Sequence, residues 1–103
     1  IMNPDLMKFI EWLLRHNIKF SVTSAFRTES ENEACGGVKN SQHLTGDAVD
    51  LAPLHCSVDE FIQKIKSSSI EFDQLIKYRT FVHVSFARSR KPRLMELNFT
   101  DRK

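Results

Sequence analysis

His43 and Asp50 stand seven positions apart in the run Ser41-Gln42-His43-Leu44-Thr45-Gly46-Asp47-Ala48-Val49-Asp50-Leu51. Imidazole nitrogen and carboxylate oxygen both suit Zn²⁺, so a loop histidine followed by an aspartate inside a buried run is a plausible start for a zinc site. A third ligand is needed. His83 is the natural supplier, a lone polar ring within the apolar Phe81-Val82-His83-Val84-Ser85-Phe86. Three protein ligands leave one coordination position open, which is the catalytic pattern. A structural zinc built from Cys35, Cys56, His43 and His55 is the competing arrangement, but its spacings match no compact ligand knuckle. Cys35 and Cys56 form no C-x-x-C pair and are read as two reduced thiols, with a disulfide as the alternative.

The elements that must position these groups follow from capping residues and periodicity. Asn3-Pro4-Asp5 predicts a helix start, with Asn3 as N-cap, Pro4 in the first turn and Asp5 at the positive end of the dipole. Leu6, Phe9, Ile10, Leu13 and Leu14 repeat at helical spacing as a core stripe, and the helix should stop near His16-Asn17, where a cation suits its C-terminus. Ile18, Phe20 and Val22 alternate with Lys19, Ser21 and Thr23 in a half-buried strand over 18–24 that delivers the chain to Arg27. Thr28-Glu29-Ser30-Glu31 is a capping box predicting a short helix to Cys35, ended by Gly36-Gly37.

A second strand is expected over 47–52, with Ala48 and Asp50 on one face and Val49 and Leu51 on the other. A buried carboxylate at Asp50 must be paired or bound to metal. Ser57-Val58-Asp59-Glu60 is another capping box, opening a helix with Phe61, Ile62 and Ile65 inward, and His55 just before it reads as a surface loop residue. After the Ser67-Ser68-Ser69 turn, the runs 72–77 and 81–86 predict a hairpin around Tyr78-Arg79-Thr80, its register open by one residue because no Gly or Asn marks the turn. His83 then shares a sheet with Asp50. The last ten residues read as a terminal strand or a frayed tail.

At 103 residues the chain is one domain, able to bury its own core. A hydrophobic fraction of 41% and a charged fraction of 27% are those of a globular protein, and no apolar run is long enough to span a membrane. The opening residues lack the pattern of a signal peptide. A net charge of +2 gives no argument for nucleic acid. Arg88, Arg90, Lys91 and Arg93 cluster near the end and are read as a solvated basic tail, with contact to an anionic polymer such as a cell wall as the alternative.

Taken together, Ser24-Ala25-Phe26-Arg27, Gly36-Gly37-Val38, the Ser41–Leu51 run, Phe72-Asp73-Gln74-Leu75-Ile76 and Phe81-Val82-His83-Val84-Ser85 resemble the zinc D-alanyl-D-alanine carboxypeptidase and L-alanyl-D-glutamate endopeptidase family. The likeness is closest to its short VanY-like branch, common in bacteria and their phages, and covers roughly residues 18–88 with the motifs in order. The resemblance implies His43, Asp50 and His83 as zinc ligands. It implies Arg27 as the positive group holding a substrate carboxylate or carbonyl oxygen, and Ser41 and Gln42 as part of the substrate-binding loop. The implied fold is a small α+β domain, an antiparallel sheet with helices packed against it, on the scaffold shared with the hedgehog signalling domain.

In one respect the chain departs from the family. Members usually carry an acidic general base a few residues before the last histidine, whereas residues 77–82 here are Lys-Tyr-Arg-Thr-Phe-Val. Asp73 or Glu71 from the neighbouring strand, or Asp47 from the loop, is the candidate substitute, or else the base is missing. Tyr78, where branch members often carry the glutamate, suits hydrogen bonding to a developing oxyanion better than proton abstraction, since a phenol is ordinarily protonated near neutral pH. The expectation is a zinc metallopeptidase over residues 1–103, with its motifs in 24–86, hydrolysing peptidoglycan stem peptides as carboxypeptidase or endopeptidase, in the manner of a phage endolysin or a wall-remodelling enzyme. The alternative is a zinc-containing, catalytically impaired domain that only binds cell-wall peptide. A monomer acting on the cell wall is expected, with periplasmic, secreted and phage-delivered locations all open.

Overall fold

A computed structural model describes residues 2–24 and 46–100. Its first element is α1 (Pro4–Arg15), capped as the sequence predicts: the Asn3 side chain accepts the backbone N–H of Asp5 at 2.8 Å. Its end is a Schellman motif. Asn17 takes the left-handed conformation at φ 57°, its N–H donates to the Leu14 carbonyl at 3.1 Å, and that of Ile18 donates to Leu13 at 3.0 Å. Leu13 and Ile18 are both buried in the same cluster, the apolar contact that usually accompanies this motif. His16 caps the helix, stacked on Trp12 with ring centroids 4.3 Å apart. The apolar stripe is narrower than expected. Leu6, Phe9 and Leu13 are buried with Ile10 packed beside them, while Leu14 is 64% exposed.

The strands β1 (Phe20–Ser24), β2 (Ala48–Pro53), β3 (Gln74–Lys77), β4 (Val82–Ser85) and β5 (Met95–Asn98) form one sheet in the order β1-β2-β4-β3-β5. Three of the four pairings are antiparallel, as expected; β5 runs parallel to β3, so the sheet is mixed. Antiparallel β4 returns the chain to the start of β3, and residues 86–94 pass that end of β3 to bring β5 alongside it. Residues 95–98 are therefore the terminal strand, paired along β3. Helix α2 (Val58–Ser67) links β2 to β3, its Ser57 Oγ accepting the Glu60 N–H at 3.1 Å. The helix predicted over 28–35 lies outside the described residues.

Strand alternation sorts the sheet into two faces. Val49 and Leu51 of β2, Val82 and Val84 of β4 and Leu75 of β3 join Phe9, Leu13, Phe61 and Ile65 of the two helices in one core cluster. Both helices therefore cover the same face. Each of these large side chains contributes about 1.5 to 3 kcal/mol by leaving water. Strand β1 tapers outward: Ile18 before it is buried, Phe20 packs on the core, and Val22 is 52% exposed. No helix among the described residues is long and apolar enough to cross a membrane.

Candidate active site

The opposite face of the sheet carries Asp50 and His83. The antiparallel register sets them directly across from each other on β2 and β4. Their side chains meet: His83 Nδ1 lies 2.9 Å from Asp50 Oδ1, and only 13% and 16% of the two side chains is exposed. Neighbouring positions on β4 and β2 point into the core, so the pair is held by two strands whose other faces are anchored in Val49, Leu51, Val82 and Val84.

Register extends this pair into rows across the sheet. Asp50 and His83 continue through Ile76 of β3 to Leu97 of β5. One row towards the end of β4 come Ala48, Ser85, Gln74 and Met95. One row the other way, the β3–β4 turn brings Tyr78 opposite Phe81, with the Tyr78 N–H donating to the Phe81 carbonyl at 2.9 Å. Phe99 follows beside Tyr78, its N–H donating to Lys77 at 2.7 Å. Alternation puts Phe81, Tyr78 and Phe99 on the face of His83. Asp50 is the one carboxylate in these three rows.

β1 approaches from the other side. Its register with β2 shifts between Val22 and Ser24, so that Ser24 pairs with Asp50, and Thr23 Oγ1 donates to the Asp50 carbonyl at 3.2 Å. Such an irregularity re-aims a strand at its edge. Arg27 lies three residues further on. Arg27, Ser41, Gln42 and His43 all fall outside the described residues, as does Cys35. Cys56 is a half-buried free thiol and His55 an exposed loop residue at φ 62°.

The carboxylates expected to replace the missing base lie elsewhere. Asp73 is fully buried, and its oxygens accept hydrogen bonds from Arg90 (2.7 and 2.8 Å) and from the Arg93 guanidinium (2.7 and 3.0 Å) and backbone N–H (3.0 Å). Arg90 first, then Arg93, holds this carboxyl far below the usual carboxylate range despite its burial. A general base must take up a proton near neutral pH, so this environment is the reverse of what the role requires. Position argues the same way. Asp73 hydrogen-bonds through its N–H to the Ser85 carbonyl, three residues before Ile76 and so about 10 Å along the strand from the His83 row.

Asp47 is likewise engaged, accepting Asn3 Nδ2–H at 3.1 Å and Arg88 Nε–H at 2.9 Å, three residues from Asp50 at the same end of the sheet. Glu71 is exposed and lies two residues beyond Asp73. The basic run 88–93 is thus no solvated tail, since three of its four cations close on two buried carboxylates. Sequence offered a faint sign of this, two acids bordering apolar strands and an Arg-x-x-Arg spacing downstream. It gave none of the partners.

The metal expected here needs N and O donors that converge. Asp50 and His83 supply one of each, mostly buried and 2.9 Å apart, within the span that two ligands of one small cation need. No cluster of three or more histidine, cysteine or acidic side chains occurs among the described residues, which exclude His43. The two donors fit zinc as a partial ligand set.

The sequence profile described as Peptidase M15 matches residues 2–85, a span holding α1, both donors and four of the five strands. The chain belongs to the Peptidase M15 family. No curated protein matches it. As an M15 member the protein is a peptidase, a hydrolase of the metallopeptidase class, and its substrate is a peptide. The M15 match ends at β4, so the crossover carrying Arg88, Arg90 and Arg93, and the parallel strand β5, lie beyond it.

Proposed function

We propose that this M15 chain is a single zinc peptidase domain that hydrolyses peptide bonds in peptidoglycan stem peptides, of the carboxypeptidase or endopeptidase type found in the VanY-like branch. The observation that carries the reading is the Asp50–His83 pair, two donors of the right chemistry set side by side on the sheet face opposite α1 and α2. His43, Asp50 and His83 are the residues that would hold the zinc. Bound there, zinc would supply Lewis-acid polarisation of the scissile carbonyl and a more acidic water.

The chain's own groups supply the rest. Arg27 follows β1, whose last residue Ser24 pairs with Asp50, and its guanidinium binds a substrate carboxylate or carbonyl oxygen and offsets the negative charge that grows on it. Ser41 and Gln42, which precede the aspartate in sequence, contribute polar contacts to the peptide backbone. Tyr78 sits diagonally across the hairpin from His83, within the reach of a long side chain, and its hydroxyl donates to substrate oxygen.

Digestion of purified cell wall tests this. The zinc-loaded protein should release stem peptides, and His43→Ala should abolish release. Absence of cleavage by the zinc-loaded wild type would overturn the reading. A second reading, a zinc domain that binds wall peptide without cutting it, is favoured by a specific observation: among the described residues, the three rows around His83 contain no carboxylate except Asp50. It predicts saturable binding of stem peptide with no turnover.

A further inference from the structure

Tyr78 is the only tyrosine of the chain, and it is enclosed by two phenylalanines. Its ring stacks on Phe81 with centroids 4.5 Å apart and planes 9° from parallel, and it meets Phe99 edge to face at 5.9 Å and 71°. Both geometries are favourable for aromatic quadrupoles, and together they restrict the two torsions on which the phenol direction depends. Phe81 comes from the strand of His83. Phe99 comes from the end of β5, beyond the residues that match the family profile.

The structure shows how Phe99 is brought there. After β4 the chain is anchored by Arg90 and Arg93 on the buried Asp73 carboxylate. Two backbone bonds follow, Leu94 N–H to Phe72 at 3.2 Å and Met95 N–H to Asp73 at 2.9 Å. β5 then runs in register along β3 until the Phe99 N–H reaches Lys77. The clamp fixes the start of this segment and the ladder sets its end beside Tyr78.

We propose that the segment 88–99 completes the substrate cleft of this peptidase, with Phe99 as a positioning residue that holds the Tyr78 hydroxyl over the His83 face to donate a hydrogen bond to a peptide carbonyl or carboxylate oxygen. The proposal rests on the peptidase reading above. A ring already ordered loses little further freedom when substrate arrives, so its hydrogen bond acts with less entropic opposition than one from a mobile side chain. A merely structural Phe99 would support the fold without any dependence on the Tyr78 hydroxyl.

The test is a double-mutant cycle on the zinc-loaded full chain with a stem peptide as substrate, run with Tyr78→Phe, Phe99→Leu and both together. Loss of one hydrogen bond to substrate should lower kcat/KM about tenfold in Tyr78→Phe. Phe99→Leu keeps an apolar side chain at the strand end and should lower it about three- to tenfold with unchanged zinc content. The double variant should be no worse than Tyr78→Phe alone. In parallel, the ¹³C resonance of the single labelled tyrosine ring should shift when stem peptide is added to wild type and shift less in Phe99→Leu. Wild-type kinetics in Phe99→Leu, fully additive losses, or a tyrosine resonance indifferent to peptide would each overturn the proposal. Failure of the wild type to cleave counts against the peptidase reading instead, and the resonance arm then still decides the role of Phe99.

Discussion

Asp73 and Arg93 are joined by three hydrogen bonds of 2.7 to 3.0 Å, two from the guanidinium and one from the backbone N–H, with the carboxylate wholly buried. Together with Arg90 they tie the crossover after β4 to the start of β3. The charge that looked, in sequence, like a candidate base is the anchor of the C-terminal strand.

Asp73→Asn should therefore act on stability. Leaving two guanidinium groups without their buried anion is expected to cost about 2 to 4 kcal/mol, read from denaturant unfolding. Zinc content at saturation should be unchanged. A variant as stable as wild type but devoid of turnover would return Asp73 to the role of base.

The same carboxylate sets an acid limit. Its pKa in the folded chain lies far below the value of about 4 in the unfolded chain. Below about pH 5 the unfolded state increasingly binds a proton that the folded state refuses, so stability rises with pH through this range and falls as pH drops towards the folded value. The stabilisation is complete at neutral pH. Unfolding free energies measured between about pH 2 and 6 should show a shallower acid decline in Asp73→Asn than in wild type.

Asn3 does double duty and should be costly to lose. Besides capping α1 it donates through Nδ2 to Asp47 at 3.1 Å and to the Ala87 carbonyl at 3.3 Å, while its own N–H donates to Gly46 at 2.9 Å. Gly46 takes a positive φ of 76° there, a conformation glycine adopts without penalty. Asn3→Ala removes a cap worth about 1 kcal/mol and two bonds to buried or half-buried acceptors, so a loss of about 2 to 3 kcal/mol in thermal or denaturant unfolding is expected. Asn3→Ser should recover part of it by restoring the cap alone.

Much of this was legible beforehand. The N-cap at Asn3, the box at Ser57–Glu60 and the stop at Asn17 are local chemistry, and each element begins or ends where those residues stand. Asp50 and His83 stood out as polar positions on otherwise apolar strands, which is a local signal too. What sequence could not show is non-local. Arg90 and Arg93 find Asp73 only because β5 returns parallel to β3, and a four-residue strand of Met-Glu-Leu-Asn carries too little pattern to announce that pairing. Leu14 fitted the helical stripe yet faces solvent, because it sits about 100° round the helix from Leu13, at the edge of the face that Leu6, Phe9 and Leu13 bury. Tyr78 was legible as a residue in an acidic position, but its enclosure by Phe81 and Phe99 depends on the same non-local strand pairing.

Asp50 and His83, with His43, are proposed to form one zinc site, and X-ray absorption at the zinc edge of the loaded full chain reads its ligands. The expected spectrum is a shell of nitrogen and oxygen at about 2.0 to 2.2 Å with the multiple-scattering signature of two imidazoles, reduced to one in His83→Ala. A sulfur shell near about 2.3 Å, or a wild-type spectrum unchanged in His83→Ala and Asp50→Asn, would contradict it.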